Sequence, residues 1–292
     1  VAFGGVVRKA LELSSEAEAA GITAITDNGV HPGITNLMGM YVAGQLDEVK
    51  QLQIGDASIY NFKDGWELTP EIFRKDSEAS LAALHNCRSC IALVLQVAKE
   101  KGGNTACTYR DGRWVDVDPV NEGIDVLSSE GERITAYPFG ASDPLFGSLP
   151  LDRSVLQPLE MYFSPLPPKL HELLREKSLQ VTGGRIEVDT AVSSFFDTIE
   201  SDPSRWLTPP ESQTQVPKTW VRAVGHKDGR PAHCDCRQTD VAWEVGGYLL
   251  TSAALVVAVL CILRGEMKKR GVMAAEKAFE PRSFLDEVES IL

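Results

Sequence analysis

Eleven residues near the amino end, Thr26 to Asn36, read TDNGVHPGITN. They place two glycines, a proline and a histidine between an apolar run, ITAIT, and a segment with helical spacing, ITNLMGMYVAGQLDEV. In an open parallel sheet, ligands sit at the carboxyl ends of the strands, where the following loop must come close to them. Gly29 and Gly33 permit positive φ and close backbone approach, and Pro32 stiffens the loop. The first amides of the next helix offer donors to a polar group. A tight strand-to-helix connection with no ligand has the same spacing, and the motif alone leaves both readings open.

The elements that must hold this loop follow from periodicity. Residues 4 to 20 have helical spacing and stop at Gly21, and ITAIT suits a buried parallel strand. Helix, strand, glycine-rich turn and helix make the grammar of an α/β sheet. After residue 47 the grammar changes. VKQLQIGDASIY alternates like a strand pair, and Ser77 to Lys101 reads as a long helix ended by Gly102 and Gly103. TACTYRDGRWVDV is a hairpin signal around Asp111-Gly112, and TWVRAVGHKDGRPAHCDC repeats it around Asp228-Gly229. Val188, Val192, Phe195, Phe196 and Ile199 share one helix face, and four prolines make 201 to 217 a linker or surface loop. The expected fold is α+β, a mixed sheet with hairpins flanked by helices, preceded by the last strand-helix unit of an α/β nucleotide-binding domain. The expected division is 1-46 and 47-292.

Composition bounds the function. With 43% hydrophobic and 24% charged residues the 292-residue chain is globular. A formal charge of -12 leaves no basic stripe to neutralise phosphates, so a nucleic-acid partner is not expected. The chain opens on valine with no export leader, and six cysteines are too few for a disulfide framework, which points to the cytoplasm and to a longer gene product. Residues 245 to 263, VGGYLLTSAALVVAVLCIL, carry no charge. That length spans a bilayer, but Thr251, Ser252 and the paired glycines also suit a helix buried between layers or subunits, and no membrane partner is expected.

A resemblance adds to this reading. DNGVHPGITNLMGMYVAGQLDEV resembles the Gly-x-x-Pro-Gly segment of the saccharopine dehydrogenase-like family. RGEMKKRGVMAAEKAFEPRSFLDEV is similar to that family's ending, and VRAVGHKDGRP to the hairpin before its last long helix. The family opens with a Rossmann domain, and no G-x-G-x-x-G occurs here. The resemblance therefore implies the substrate-binding and dimerisation region of an NAD- or NADP-dependent oxidoreductase acting on the carbon-nitrogen bond of an amino acid or polyamine derivative. It implies a small-molecule substrate, a homodimer, and no turnover by this chain alone.

By the same resemblance Asp27 to Asn36 would lie beside the nicotinamide. Asn28, Gly29, Pro32 and Gly33 would contact the cofactor, and Asp27 and His31 are the catalytic candidates. A histidine titrates near neutrality and can relay a proton, although the family does not require one there. Thr35 and Asn36 are candidates for substrate contact. Arg153, Arg222 and Arg237 are candidates for a substrate carboxylate, which a guanidinium binds bidentately. After YPFG the family carries a glutamate and a threonine where this chain has Asp143 and Ser148, a departure that bears on the substrate.

Two other classes compete. A binding or assembly domain of the same fold, without catalysis, fits the missing cofactor motif. Cys87 and Cys90 with His233, Cys234 and Cys236 supply soft ligands for a structural zinc. The first pair falls at i, i+3 of an expected helix and lies far from the second, so small buried thiols are the expectation and no metal is assigned. His85 and His171 fall in helical segments and are expected to be exposed or locally satisfied.

Overall fold

The computed structural model describes residues 10–26, 28–30, 33–56, 73–99, 107–110, 113–116, 118, 120–127, 133–138, 159–163, 168–207, 219–238 and 240–292. Asp27, His31, Pro32, Asp143, Ser148 and Arg153, and the turn residues Asp111 and Gly112, lie outside them.

The amino-terminal unit is α1 (Ser14–Ala19), β1 (Thr23–Thr26) and α2 (Ile34–Ala43). ITAIT forms the expected parallel strand, with β10 (Gly271–Ala274) as partner from Thr23↔Gly271 to Thr26↔Ala274, but its expected burial is not met, because among the described residues this sheet has two strands and Ile22 is exposed. β1 is half-buried along its length. The remaining strands make an eight-stranded mixed sheet among the described residues. Its centre is β2 (Glu48–Asp56), parallel to β7 (Leu159–Phe163) and antiparallel to β8 (Thr219–Lys227). β3 (Cys107–Arg110) and β4 (Arg113–Asp116) continue one side through β7, and β9 (Arg230–Arg237) closes the other. β5 (Ile124–Leu127) pairs β6 (Arg133–Pro138), which reaches β7.

Both hairpins form where the sequence puts them. Between Lys227 and Arg230, Asp228 and Gly229 have φ of 49° and 70°, as a two-residue primed turn requires. Of the expected strand pair at VKQLQIGDASIY, the first part forms one strand over Glu48–Asp56, with a register shift between Val49 and Gln51. The rest of that segment, 57–60, lies outside the described residues. The expected linker starts with a short helix, α6 (Pro203–Trp206), capped by Asp202, whose side chain accepts from the Arg205 amide; Leu207 behind it is buried.

Two apolar clusters hold the described residues together. The first joins α2, β2 and β8 to α7 (Asp240–Leu263) and α9 (Pro281–Ile291), through Leu37, Val42, Leu52, Ile54, Val221 and Ala254. α9 is started by Glu280, whose carboxylate accepts from the amides of Arg282 and Ser283, with Pro281 in the first turn. The second is built by α3 (Glu78–Lys99), α4 (Pro168–Thr182) and α5 (Val188–Ser201), which pack on one another. Phe195, Phe196 and Ile199 are fully buried on the expected face of α5. Ser77 starts α3 reciprocally: its hydroxyl accepts from the Ser80 amide while the Ser80 hydroxyl accepts from the Ser77 amide.

α7 is apolar all round and lies half in the first cluster. Leu250, Ala253, Ala254, Val257, Ala258 and Cys261 face inward, and Leu249, Leu255, Val256, Val259, Ile262 and Leu263 are exposed. Burial between layers is thus met on one side of this helix. Among the described residues no helix is long and apolar enough to cross a membrane.

β8 runs so close to β2 that Gly225 has no room for a side chain; a Cβ there would run into the Glu48 carbonyl. Backbone cannot yield as a flexible side chain does. Gly225→Ala is therefore expected to cost about 3 kcal/mol of stability in urea denaturation, at the upper end of ordinary overpacking.

Candidate functional site

The glycine-rich turn at the carboxyl end of β1 folds through its own backbone. The Ile34 amide donates to the Gly29 carbonyl at 2.9 Å and the Thr35 amide to the Val30 carbonyl at 3.0 Å. Gly29 and Gly33 form an isolated bridge, and Gly33, with φ of 130°, leads into α2 in a conformation that favours glycine. The expectation that the first amides of α2 stand free for a ligand is corrected here. Two of them are spent inside the loop.

The side chains around the turn are more telling. The Asn28 Nδ2 donates to the Ala254 carbonyl of α7 at 2.8 Å, which ties the loop to that helix. Its Oδ1 is buried without a hydrogen-bond partner, and so is Thr26 Oγ1 at the end of β1. On α2, Thr35 and Asn36 are fully buried. Asn36 Nδ2 donates to Glu276 Oε2 at 3.2 Å, and the Thr35 hydroxyl donates to Asn36 Oδ1 at 3.4 Å. Glu276 is a buried carboxylate in the first turn of α8 (Ala275–Ala278), immediately after β10. The carboxyl ends of two adjacent parallel strands thus meet at a patch rich in buried side-chain oxygens.

Of the sequence candidates, Asn28, Gly29, Gly33, Thr35 and Asn36 come together in this turn and the start of α2. Thr35 and Asn36 lie within the protein, against Glu276, rather than at its surface. Arg222 is held by Asp235 across the β8–β9 pair at 2.5 and 3.2 Å, in the bidentate geometry that a substrate carboxylate would otherwise use. Arg237, at the end of β9, borders a cavity of about 220 Å³ that also reaches Val30, Ile34 and Met38. Sequence reasoning passed over two contributors, Glu276 and the Ala254 carbonyl. Glu276 sits more than 200 residues from the loop, and the carbonyl has no sequence signature at all.

That cavity has mostly apolar walls from α2, α7 and α9, with two orphaned polar groups. Thr219 and Gln238 sit opposite one another at the open end of the β8–β9 ladder, where the Gln238 amide donates to the Thr219 carbonyl. Thr219 Oγ1 and Gln238 Nε2 are buried there without hydrogen-bond partners.

The cysteines separate between the two clusters. Cys87 belongs to the α3–α5 cluster, while Cys234 and Cys236 pack against the other. Among the described residues no three His, Cys, Asp or Glu side chains gather as a metal site. Burial, then the neighbouring Cys90, pushes the Cys87 thiol up to about 12, and burial, then Cys234, pushes Cys236 up to about 11. Both are thiols, not thiolates, at neutral pH. His171 bonds through Nε2 to the Val120 carbonyl at 2.9 Å and stacks on Tyr137, and burial lowers its pKa; His85 is exposed.

No protein-family model matches the chain. Among solved structures the fold is similar to that of apo histidine-tagged saccharopine dehydrogenase (L-Glu forming) from Saccharomyces cerevisiae. The match has a TM-score of 0.50 at 13% identity and covers 96% of this chain and 74% of that one. At such identity it establishes a distant structural relationship and a shared mixed α+β fold.

The orphaned hydroxyl of Thr219 offers a check on this geometry. Replacing a buried, unpartnered polar group with an apolar isostere removes a desolvation cost. Thr219→Val is expected to raise stability by roughly 1 kcal/mol in urea denaturation, against a loss of similar size for an ordinary hydrogen-bonded threonine.

Proposed function

We propose that this chain is the substrate-binding part of a nicotinamide-dependent oxidoreductase acting on the carbon-nitrogen bond of an amino acid or polyamine derivative. In this reading β1 and β10 are the last strands of a nucleotide-binding sheet whose other strands, and whose pyrophosphate-binding turn, belong to the rest of the gene product. The boundary near residue 46 then marks the passage from that sheet to the substrate domain.

The observation that carries the reading is the pair of orphaned oxygens, Thr26 Oγ1 and Asn28 Oδ1, at the carboxyl end of a parallel strand pair. Buried oxygens without donors are costly to keep, and the carboxyl ends of parallel strands are where α/β sheets bind ligands. A nicotinamide carboxamide presents two N–H donors, the complement of what these two atoms lack. When bound, that group would supply the hydride chemistry.

The protein's own residues orient and protonate. Asn28, fixed by its bond to the Ala254 carbonyl, sets the position of the carboxamide. The Asn36–Glu276 bond holds α2 to the segment after β10 and so fixes the start of α2, next to Gly29 and Gly33, which would border the cofactor. Asp27 and His31, in the same loop, are assigned to proton transfer. Arg153, Arg222 and Arg237 are the candidates for the substrate carboxylate, and Arg222 would have to exchange its bond to Asp235 for it. In this reading the compartment is the cytoplasm, where Cys87, Cys90, Cys234, Cys236 and Cys261 would stay free thiols.

The test is cofactor binding by the full gene product, read as NADH and NADPH fluorescence, followed by oxidation of a panel of amino acids, saccharopine and polyamines. Turnover by the gene product and none by the 292 residues alone are expected. Asn28→Leu should weaken cofactor binding about 10-fold, the worth of one hydrogen bond with a little desolvation. A folded gene product that binds neither cofactor would overturn the proposal and favour a binding or assembly role.

A further inference from the structure

The cavity between α2 and α9 lies against the glycine turn, because Val30 in the turn and Ile34 at its exit line it. Met38, Leu250 and Val288 continue its apolar wall. At about 220 Å³ it is smaller than the ~300–1,000 Å³ of sites for drug-sized ligands. A water takes ~30 Å³ in the liquid, so the space suits a molecule on the order of ten non-hydrogen atoms.

The polar groups at one end of this space say what such a molecule must carry. Thr219 shares a sheet face with the buried Val221 and Ala223, and Gln238 shares it with Cys236 across the β8–β9 pair. That face turns toward α2, α7 and α9. Thr219 and Gln238 both line the cavity, and Thr219 is 1% exposed, yet Thr219 Oγ1 and Gln238 Nε2 have no hydrogen-bond partner. An amide N–H and a hydroxyl can both donate, so one oxygen-bearing group that accepts from both completes them.

Charge at the mouth narrows the class further. Arg237, Arg282, Asp286 and Glu289 line the cavity and are exposed. Arg282 and Asp286 pair with each other at 2.9 Å, and the other two are of opposite sign. A small molecule with an apolar body and a head bearing both charges meets this mouth without a mismatch. A fatty carboxylate would leave Glu289 uncompensated, and lysine or a polyamine would set a second ammonium among apolar walls.

We propose that this cavity is the pocket for a free α-amino acid with an apolar side chain, of the size of leucine, methionine or phenylalanine. The side chain lies between α2 and α9. The carboxylate accepts from the Thr219 hydroxyl and the Gln238 amide, with the Arg237 charge on the same rim, and the ammonium faces Glu289. Its place as the substrate or the amine-bearing product rests on the oxidoreductase reading; its binding does not.

Isothermal titration calorimetry of the full gene product without cofactor tests it, with leucine, methionine, phenylalanine, lysine and putrescine as probes. At least one apolar amino acid is expected to bind, and lysine and putrescine at least about 10-fold more weakly. Thr219→Val should weaken that binding about 10-fold while gaining stability in urea, a pair of effects that a purely structural threonine would not show. Gln238→Leu, expected to weaken it by a similar factor, serves as a second variant should the first misfold. No binding of any apolar amino acid, as when a water fills the gap, would overturn the proposal, as would tighter binding of lysine or unchanged affinity in both variants. An apolar amino acid that binds here but is turned over with neither nicotinamide would support the pocket and count against the oxidoreductase reading. Turnover of lysine or a polyamine, with no apolar amino acid bound, would overturn the pocket and keep that reading.

Discussion

The pairing of β1 with β10 is the constraint on which the site depends. It joins Thr23–Thr26 to Gly271–Ala274 in parallel register, so residues near the two ends of the chain share a small sheet. Parallel strands cannot be joined by a tight turn. Here the mixed sheet, the second apolar cluster and most of the first lie within the connection between them. Closing so long a loop costs entropy that grows only slowly with length, and local bonds help offset it. The Arg270 guanidinium and the Lys269 carbonyl both meet the Thr23 hydroxyl, and Ser14 accepts from the Val272 amide.

From that pairing the rest of the site follows. Because the strands are parallel, both carboxyl ends point the same way, and the segments that leave them lie side by side. One is the glycine turn with Asn28; the other is the start of α8 with Glu276. Asn36 closes the arrangement through its bond to Glu276, and Asn28 fastens it to α7. The loop and the start of α2 are therefore tied to two elements from distant parts of the chain, α7 and α8. Its Thr26 and Asn28 oxygens are left buried and unpaired inside that hold.

Local signals reported local structure well. The α5 face, the primed turn at Asp228-Gly229, the long α3 and the parallel character of ITAIT all follow from periodicity and turn chemistry in windows of a few residues. What the sequence could not report is long-range. The β10 partner of β1, the Asp235 that occupies Arg222, and the Glu276 that meets Asn36 depend on which distant segments meet. The amides of α2 escaped for another reason: a glycine loop can satisfy donors with its own carbonyls, and composition does not say which carbonyls turn inward. The patchy likeness of ordered motifs agrees with the distant structural relationship to saccharopine dehydrogenase at the level of a mixed α+β fold.

The most direct measurement is hydrogen-deuterium exchange of the full gene product with and without NADH or NADPH, under conditions where binding is independently established. The account predicts slower exchange on binding at residues 26–30 and 274–276, the two segments that leave β1 and β10. Bound cofactor with unchanged exchange at both segments would contradict it, and would place the nicotinamide away from the carboxyl end of this strand pair.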